Sequence, residues 1–401
     1  MKKILLSLII IGSLGLSGCG RRHALKQELK SALAVAVEQE KAQAVRMEGI
    51  EGKLPRTFEN GEVKVDSPYN WVSGFFPGSL WLLYEYTGDE QLRTYADEFT
   101  RRLEVLKDYK GTHDLGFMIF CSYGNAYRLT GDPYYKSVIE QAAESLASRF
   151  NETVGCIRSW NTGRKENPEL DFMVIIDNMM NLELLFEATK LTGDSTFCRV
   201  ALSHADRTLK EQFRPDGSCF HVVDYDPQDG TVRSRQTAQG YADSSAWSRG
   251  QAWAIYGYTV CYRETGRQIY LDQALKTFNF MKNHPHMPAD RVPYWDMDAP
   301  GIPNEPRDAS SATVIASALY EISTFDVPQA EEYRTYADSI MSSLTSPDYT
   351  AAPGTNGLFL LMHSVGSIPH NSEIDVPLNY ADYYYMEALK RRNDIDKASN
   401  K

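Results

Sequence analysis

The sequence predicts an all-α protein, an (α/α)6 double-layered barrel of six helical hairpins. Two observations lead there. A Thr-Gly-Asp type of turn recurs along the 401 residues, and unusual polar and aromatic residues gather at the start of every second predicted helix. The turn appears as LLYEYTGDEQL at 82–92, AYRLTGDPYY at 126–135, LLFEATKLTGDSTF at 184–197 and VCYRETGRQIY at 260–270, with a degenerate copy, ALYEISTFDVPQA, at 318–330. Its glycine suits the left-handed residue that ends a helix, its aspartate caps the next helix, and Pro133 fits a first turn. Each turn therefore joins two antiparallel helices.

Apolar periodicity around these turns places helices at 25–46, 75–87, 90–107, 114–129, 133–148, 177–191, 195–212, 245–264, 268–283, 308–324, 328–345 and 378–391. Stacked hairpins suit an open solenoid as well as a closed ring, and the position of the unusual residues favours the ring. Asn70-Trp71 precede the second helix, His113-Asp114 the fourth and Asp177-Asn178 open the sixth; Asp243-Ser244-Ser245, Trp247 and Arg249 sit at the eighth, Arg307-Asp308 at the tenth, Asn379-Tyr380 at the twelfth. In a ring of hairpins the even-numbered helices run parallel, so these groups converge on one mouth. The odd-numbered helices carry Glu, Lys and Arg faces and form the solvated outer layer.

The chain holds 42 Lys+Arg against 53 Asp+Glu, a net charge of −11, with 42% hydrophobic and 24% charged residues. That composition describes a soluble globular protein. Without a basic stripe it excludes nucleic acid as the expected partner. The first residues read MKKILLSLIIIGSLGLSGCGRR. The apolar run from Ile4 to Leu16 is too short to span a hydrocarbon core of about 30 Å and suits a signal peptide. Leu16-Ser17-Gly18-Cys19 resembles a bacterial lipoprotein box. The expectation is a signal peptide at 1–18, acylation of Cys19, and a single barrel domain at 19–401 held by its lipid in the bacterial envelope, on the periplasmic side. The remaining Cys121, Cys156, Cys198, Cys219 and Cys261 show no CxxC pair, hence no disulfide framework and no zinc pattern. No metal or cofactor is expected.

Asp177 lies between Phe172-Met173-Val174-Ile175-Ile176 and Met179-Met180, an apolar setting that raises a carboxyl pKa and suits a general acid. The same setting suits a buried aspartate that caps its helix. Asp114 alone is explained by the helix dipole, but a second carboxyl at the same mouth is the usual equipment for glycoside chemistry. The segment 214–253 begins like a β-hairpin around Asp229-Gly230 and contributes His221, Gln239, Arg249 and Trp253. A cation near a helix start is poorly placed for the dipole, so Arg249 calls for an anionic partner, either a neighbouring aspartate or a substrate carboxylate. Trp71, Trp160, Trp247 and Trp253 lie near helix starts or in loops, as sugar-stacking faces do, and two of the four are equally explained as core.

The segments SPYNWVSGFFPGSLWLLYEYTGD at 67–89, HDLGFM at 113–118, IIDNMMNLELLFEA at 175–188, RPDGSCFHVVDYDPQDG at 214–230, QGYADSSAWSRGQAWAIYG at 239–257 and PLNYADYYYMEAL at 377–389 resemble the unsaturated glucuronyl hydrolases, glycoside hydrolase family 88. The resemblance implies the (α/α)6 barrel and hydrolysis of the 4,5-unsaturated uronic acid left by polysaccharide lyases at the non-reducing end of oligosaccharides. It implies Asp177 as general acid and then base, and Asp114 as the group that holds ring hydroxyls and supports developing charge. His113, His221, Gln239, Arg249 and Tyr380 would line the site, with Gln239 and Arg249 on the uronate carboxylate or the attacking water. Trp71, Trp160 and Trp253 would stack on sugar. Relatives that accept sulfated products carry a Ser-x-x-Ser-x-Lys run; here Ser364 and Ser367 fit and Pro369 replaces the lysine. An unsaturated rhamnogalacturonyl hydrolase and a non-catalytic sugar-binding lipoprotein are the alternatives.

Overall fold

The structure, a computed structural model, describes residues 2–161 and 172–399, with side chains from Leu25 onward. Its helices, in chain order, are α1 (Lys2–Met47), α2 (Phe75–Thr87), α3 (Glu90–Arg101), α4, α5 (Pro133–Ala147), α6 (Leu182–Thr192), α7 (Ser195–Glu211), α8 (Ser248–Thr265), α9 (Gln268–Asn283), α10 (Ala309–Ile322), α11 (Ala330–Leu344) and α12 (Asn379–Ser399). The fourth, α4, opens as a π-helix over Gly116–Gly124 and continues as α-helix over Asn125–Thr130. The even-numbered helices form a ring in which each packs on the next and α12 closes against α2. That closure selects the barrel over the solenoid.

The two layers differ in sequence as they differ in burial. The outer α3 hides only Leu92, Tyr95, Ala96, Phe99 and Thr100, one stripe at helical spacing, whereas α8 is buried continuously from Ser248 to Cys261. The hairpin turns form as expected. Gly88, Gly131, Gly193 and Gly266 end α2, α4, α6 and α8 with φ of 69°, 68°, 77° and 66°. Asp89, Asp132 and Asp194 accept from the backbone N–H two residues on. The preceding threonines have a role of their own. Thr87, Thr130, Thr192 and Thr265 each donate to the carbonyl four residues back and accept from the N–H two residues ahead, closing the helix end from the side. The degenerate copy lacks this seal, and α10 ends at Ser323 in a right-handed conformation.

Short strands decorate the mouth at the N-terminal ends of the even helices. They pair as hairpins β1 (Leu54–Glu59) with β2 (Glu62–Asp66), and β3 (Phe150–Asn151) with β4 (Cys156–Ile157). A three-stranded antiparallel sheet joins β5 (Phe172–Ile175), β6 (Val222–Tyr225) and β7 (Val232–Gln236), and β8 (Ser364–Ser367) pairs with β9 (Ser372–Val376). The expected hairpin around Gly230 is β6–β7; the partner strand β5 was not expected. The sixth helix also starts differently from the prediction, since Ile176–Asn181 is a 3-10 turn that leads from β5 into α6. At the N-terminus, α1 runs unbroken through the expected cleavage point, and the Cys19 side chain lies outside the described ones. Among the described residues no helix is long and apolar enough to cross a membrane. Cys121, Cys156, Cys198, Cys219 and Cys261 are free thiols.

Candidate active site

Strand register assembles the centre of the mouth. Ile175 of β5 pairs with Val222 of β6, and the Ile176 N–H donates to the His221 carbonyl at 3.0 Å, so Asp177 and His221 emerge side by side. Val222 pairs in turn with Gln236 of β7, which brings residues 237–239 against His221 from the other side. The His221 Nδ1 accepts from the backbone N–H of Ala238 at 3.0 Å and of Gln239 at 3.2 Å. A ring nitrogen that accepts carries no proton, so the neutral ring holds its proton on Nε2. That Nε2 lies 3.7 Å from Asp177 Oδ2. Burial, with Arg249 and His113 nearby, depresses the His221 pKa to about 3 and keeps the ring neutral.

Asp177 is 9% exposed, and its Oδ2 has no hydrogen-bond partner among the described residues. Burial raises its pKa to about 7; Arg249 opposes that rise and the charge of Asp114 adds to it. The Trp253 indole N–H also favours the carboxylate from nearby, without forming a geometrically sound hydrogen bond. A carboxyl poised there is chemically able to deliver a proton near neutrality and to take one back.

The second carboxyl is set by α4. Gly116 packs so closely on the turn before α6 that a Cβ would stand 2.4 Å from the Asn181 Cα, which only glycine avoids. Asn181 then accepts from the Phe117 N–H at 2.9 Å and donates to the Asp177 carbonyl at 3.3 Å, tying the two acidic segments together. This contact accompanies the π-helical start of α4, a form frequent at functional sites. Asp114 accepts from Thr112 Oγ1 at 2.6 Å and lies 3.2 Å from His113 Nε2. His113 uses Nδ1 on the Ser159 carbonyl at 2.9 Å, and burial lowers its pKa, an effect Asp114 opposes.

The other expected residues divide by exposure. Trp71 and Trp160 are half-buried and offer ring faces; Trp71 packs on Tyr380 at 4.9 Å and Trp160 stands edge-on to His221 at 6.1 Å. Trp253 is fully buried against Phe117 and Tyr384, so what it brings to the site is an unpaired N–H and no exposed face. Trp247 packs on His221 at 4.4 Å and is core. Tyr380 is buried with its hydroxyl unpaired among the described residues, and burial pushes its pKa up. Of the two anionic partners open to Arg249, the structure supplies the aspartate. Its Nη1 reaches Asp308 Oδ2 at 3.3 Å and the Val365 carbonyl, and its Nη2 donates to the Gly366 carbonyl at 2.6 Å and to Gln239 Oε1 at 2.8 Å. In the sequence Asp308 is marked only by its place at the mouth. Ser159, Thr112 and Asn181 carry no signal in the sequence, because support through a carbonyl or a single side-chain bond leaves no pattern there.

Residues 46–393 match the family model described as Glycosyl Hydrolase Family 88. The chain belongs to that family. It is a glycoside hydrolase on an α/α barrel. The family 88 chain is 48% identical over 327 residues to an unsaturated glucuronyl hydrolase of Formosa agariphila, covering 81% of this chain and 80% of the relative. It is 34% identical to an unsaturated chondroitin disaccharide hydrolase of Streptococcus agalactiae, covering 86% of each. Among solved structures it superposes on an unsaturated glucuronyl hydrolase specific for heparin with a TM-score of 0.89 at 46% identity, covering 92% of this chain and 98% of that one. A Streptococcus agalactiae family member solved as an aspartate-to-asparagine variant with dGlcA-GalNAc6S bound gives 0.76 at 28% identity, covering 92% of each.

Proposed function

We propose that this enzyme removes the 4,5-unsaturated uronic acid from the non-reducing end of lyase-generated glycosaminoglycan oligosaccharides by hydrating the C4=C5 vinyl ether. The observation that carries the proposal is Asp177, a buried carboxyl with a pKa near 7 at the barrel mouth, close enough to a second carboxyl, Asp114, to feel its charge. Protonated Asp177 gives its proton to C4, and positive charge develops at C5 and the ring oxygen. Asp114, held by Thr112, supports that charge or the ring hydroxyls. Water adds at C5 while the Asp177 carboxylate takes up the proton it sheds, which restores the acid. The resulting hemiketal opens, and the remaining saccharide leaves with its own hydroxyl. Because the double bond is consumed first, carboxylate separation does not decide a retaining or inverting outcome here. Trp71 and Trp160 supply the flat faces against which the sugars lie.

Within this substrate class the proposal takes heparin-type disaccharides first. Likeness to the heparin-specific structure, at 46% identity, exceeds likeness to the chondroitin hydrolase, at 34%. The test is loss of the ultraviolet absorbance of the conjugated double bond on heparin, hyaluronan, chondroitin and pectin disaccharides. Bleaching of a glycosaminoglycan disaccharide is expected; bleaching of the pectin product alone would move the enzyme to rhamnogalacturonan, and none at all would favour a sugar-binding role.

We also propose that Cys19 is acylated after removal of residues 1–18 and holds the barrel in the bacterial envelope, on the periplasmic side. Support comes from the Leu-Ser-Gly-Cys run behind a short apolar stretch. Cys19→Ala should release the protein from the membrane fraction, and unchanged retention would refute the anchor.

A further inference from the structure

We infer that Asp308 is a positioning residue that acts through Arg249 to hold the Gln239 amide with its N–H2 group toward the sugar. Arg249 is then the relay in this arrangement, and Gln239 is the group that meets the uronate carboxylate. The inference rests on the vinyl-ether hydration proposed above and adds which side chain reads the acid.

The argument is one of hydrogen-bond direction. Asp308 is fully buried, and donors converge on both its oxygens. The Ser310 N–H at 3.1 Å, Ser310 Oγ at 2.6 Å and the Val365 N–H at 3.4 Å reach Oδ1; Ser311 Oγ at 2.9 Å and Arg249 Nη1 at 3.3 Å reach Oδ2. A guanidinium only donates. Each terminal nitrogen of Arg249 carries two N–H groups, and four acceptors meet them: Asp308, the Val365 and Gly366 carbonyls, and Gln239 Oε1. The aromatic rings of Trp247, at 4.7 Å, and Tyr380, at 5.5 Å, lie against its guanidinium. Arg249, 2% exposed, thus has its terminal N–H groups spent on the protein.

Gln239 inherits the direction. Its Oε1 must face Arg249, because rotating the amide would set N–H against N–H. Its Nε2 is left with no hydrogen bond among the described residues, on a half-buried side chain. The backbone of the same residue donates to His221 Nδ1, whose Nε2 faces Asp177. Gln239 therefore presents two free donors from a residue whose backbone is tied to one edge of the His221 ring while Asp177 faces the other. The charged acceptor next to C4 and C5 on the substrate is the carboxylate carried by C5, and its planar oxygens match an amide N–H2.

The test compares each lyase disaccharide with its uronate methyl ester, using the ratio of kcat/KM values for acid and ester so that intrinsic reactivity cancels between variants. Gln239→Glu keeps an acceptor for Arg249 and turns an oxygen toward the carboxylate. It should lower kcat/KM on the acid by about 100-fold or more and on the ester by less than about tenfold. Asp308→Asn retains an acceptor for the Ser310 N–H but removes the charge that orients Arg249. It should lower the acid-to-ester ratio by about fivefold, through KM more than kcat. Should that variant fold poorly, Ser311→Ala, which removes one partner of Oδ2, should shift the ratio in the same direction. An unchanged ratio in folded Asp308→Asn or Ser311→Ala would overturn the assignment. So would a Gln239→Glu enzyme that keeps its preference for the acid while Arg249→Lys loses it. If the wild-type enzyme bleaches neither sugar, the hydration proposal itself falls and takes this one with it.

Discussion

The two ends of the barrel are opposites. At the mouth where the even helices begin, buried polar atoms stand without partners among the described residues: Asp177 Oδ2, His221 Nε2, Trp253 Nε1 and Tyr380 Oη. At the other end a cavity of about 510 Å3 is lined by charges that are paired with one another. There Arg128 of α4 grips Glu85 of α2 at 2.8 and 2.6 Å, and Lys390 of α12 joins it at 3.1 Å. Arg391 of α12 meets Glu321 of α10 at 2.8 Å, and Arg263 of α8 meets Glu321 at 2.9 Å and also Glu183 of α6. Lys190 of α6 returns to Glu264 of α8 at 2.7 Å. The presence of a cavity alone would point to this second end. Satisfaction of polar groups points to the first, because an unpaired buried donor or acceptor costs stability unless something else will meet it.

The contrast is broken most forcefully at Asp177. Asp177→Asn should lower turnover by about a thousandfold or more, within the range of general acid–base catalysis, while the barrel still folds; turnover within about tenfold of wild type would remove this residue from the chemistry.

The same variant should be the more stable protein above neutrality. Burial lifts the folded-state pKa of Asp177 from the ordinary 3.8 to about 7, so the folded protein keeps a proton that the unfolded chain has released. Stability is lost as pH rises through that interval. The asparagine variant escapes a penalty of up to about 4 kcal/mol. Its melting temperature should exceed that of wild type at about pH 8 and converge with it toward about pH 4. A constant difference across that range would show that the carboxyl titrates normally.

The smallest effect belongs to the other end. Arg263→Met removes a cation shared by Glu183, Glu264 and Glu321. These partners are partly exposed, so the expected loss is about 2 kcal/mol, between the surface and buried regimes, read as a few degrees in Tm. Turnover should stay within about twofold; a large loss of activity would mean that the ion-pair end takes part in function.

Much of this was legible in the sequence because local chemistry determines it. Three Thr-Gly-Asp turns and one Thr-Gly-Arg turn set four of the hairpins through their caps, and the mouth residues fell at the starts of even helices because the ring makes those starts converge. Other features depend on contacts between distant segments. An apolar run at 114–129 reads as an ordinary helix, and its π-helical opening accompanies the meeting of Gly116 and Asn181. Strand β5 was visible only as the apolar setting of Asp177, since its partner lies some fifty residues away in β6. The hairpin β1–β2 did carry a signal, Asn60-Gly61 between alternating residues, which the helical pattern overshadowed. In β9, Glu373 and Asp375 take φ of 54° and 57°, which composition does not announce. The choice between an aspartate and a substrate for Arg249 likewise waited on knowing that α10 delivers Asp308 beside it.

The central claim is that a carboxyl buried at the open mouth works as an acid because its pKa stands near neutrality. The pH dependence of kcat/KM for bleaching a lyase disaccharide tests it most directly. A single-proton fall in rate with an apparent pKa of about 7 is the predicted result. A rate that stays level from about pH 5 to about pH 9 would contradict it.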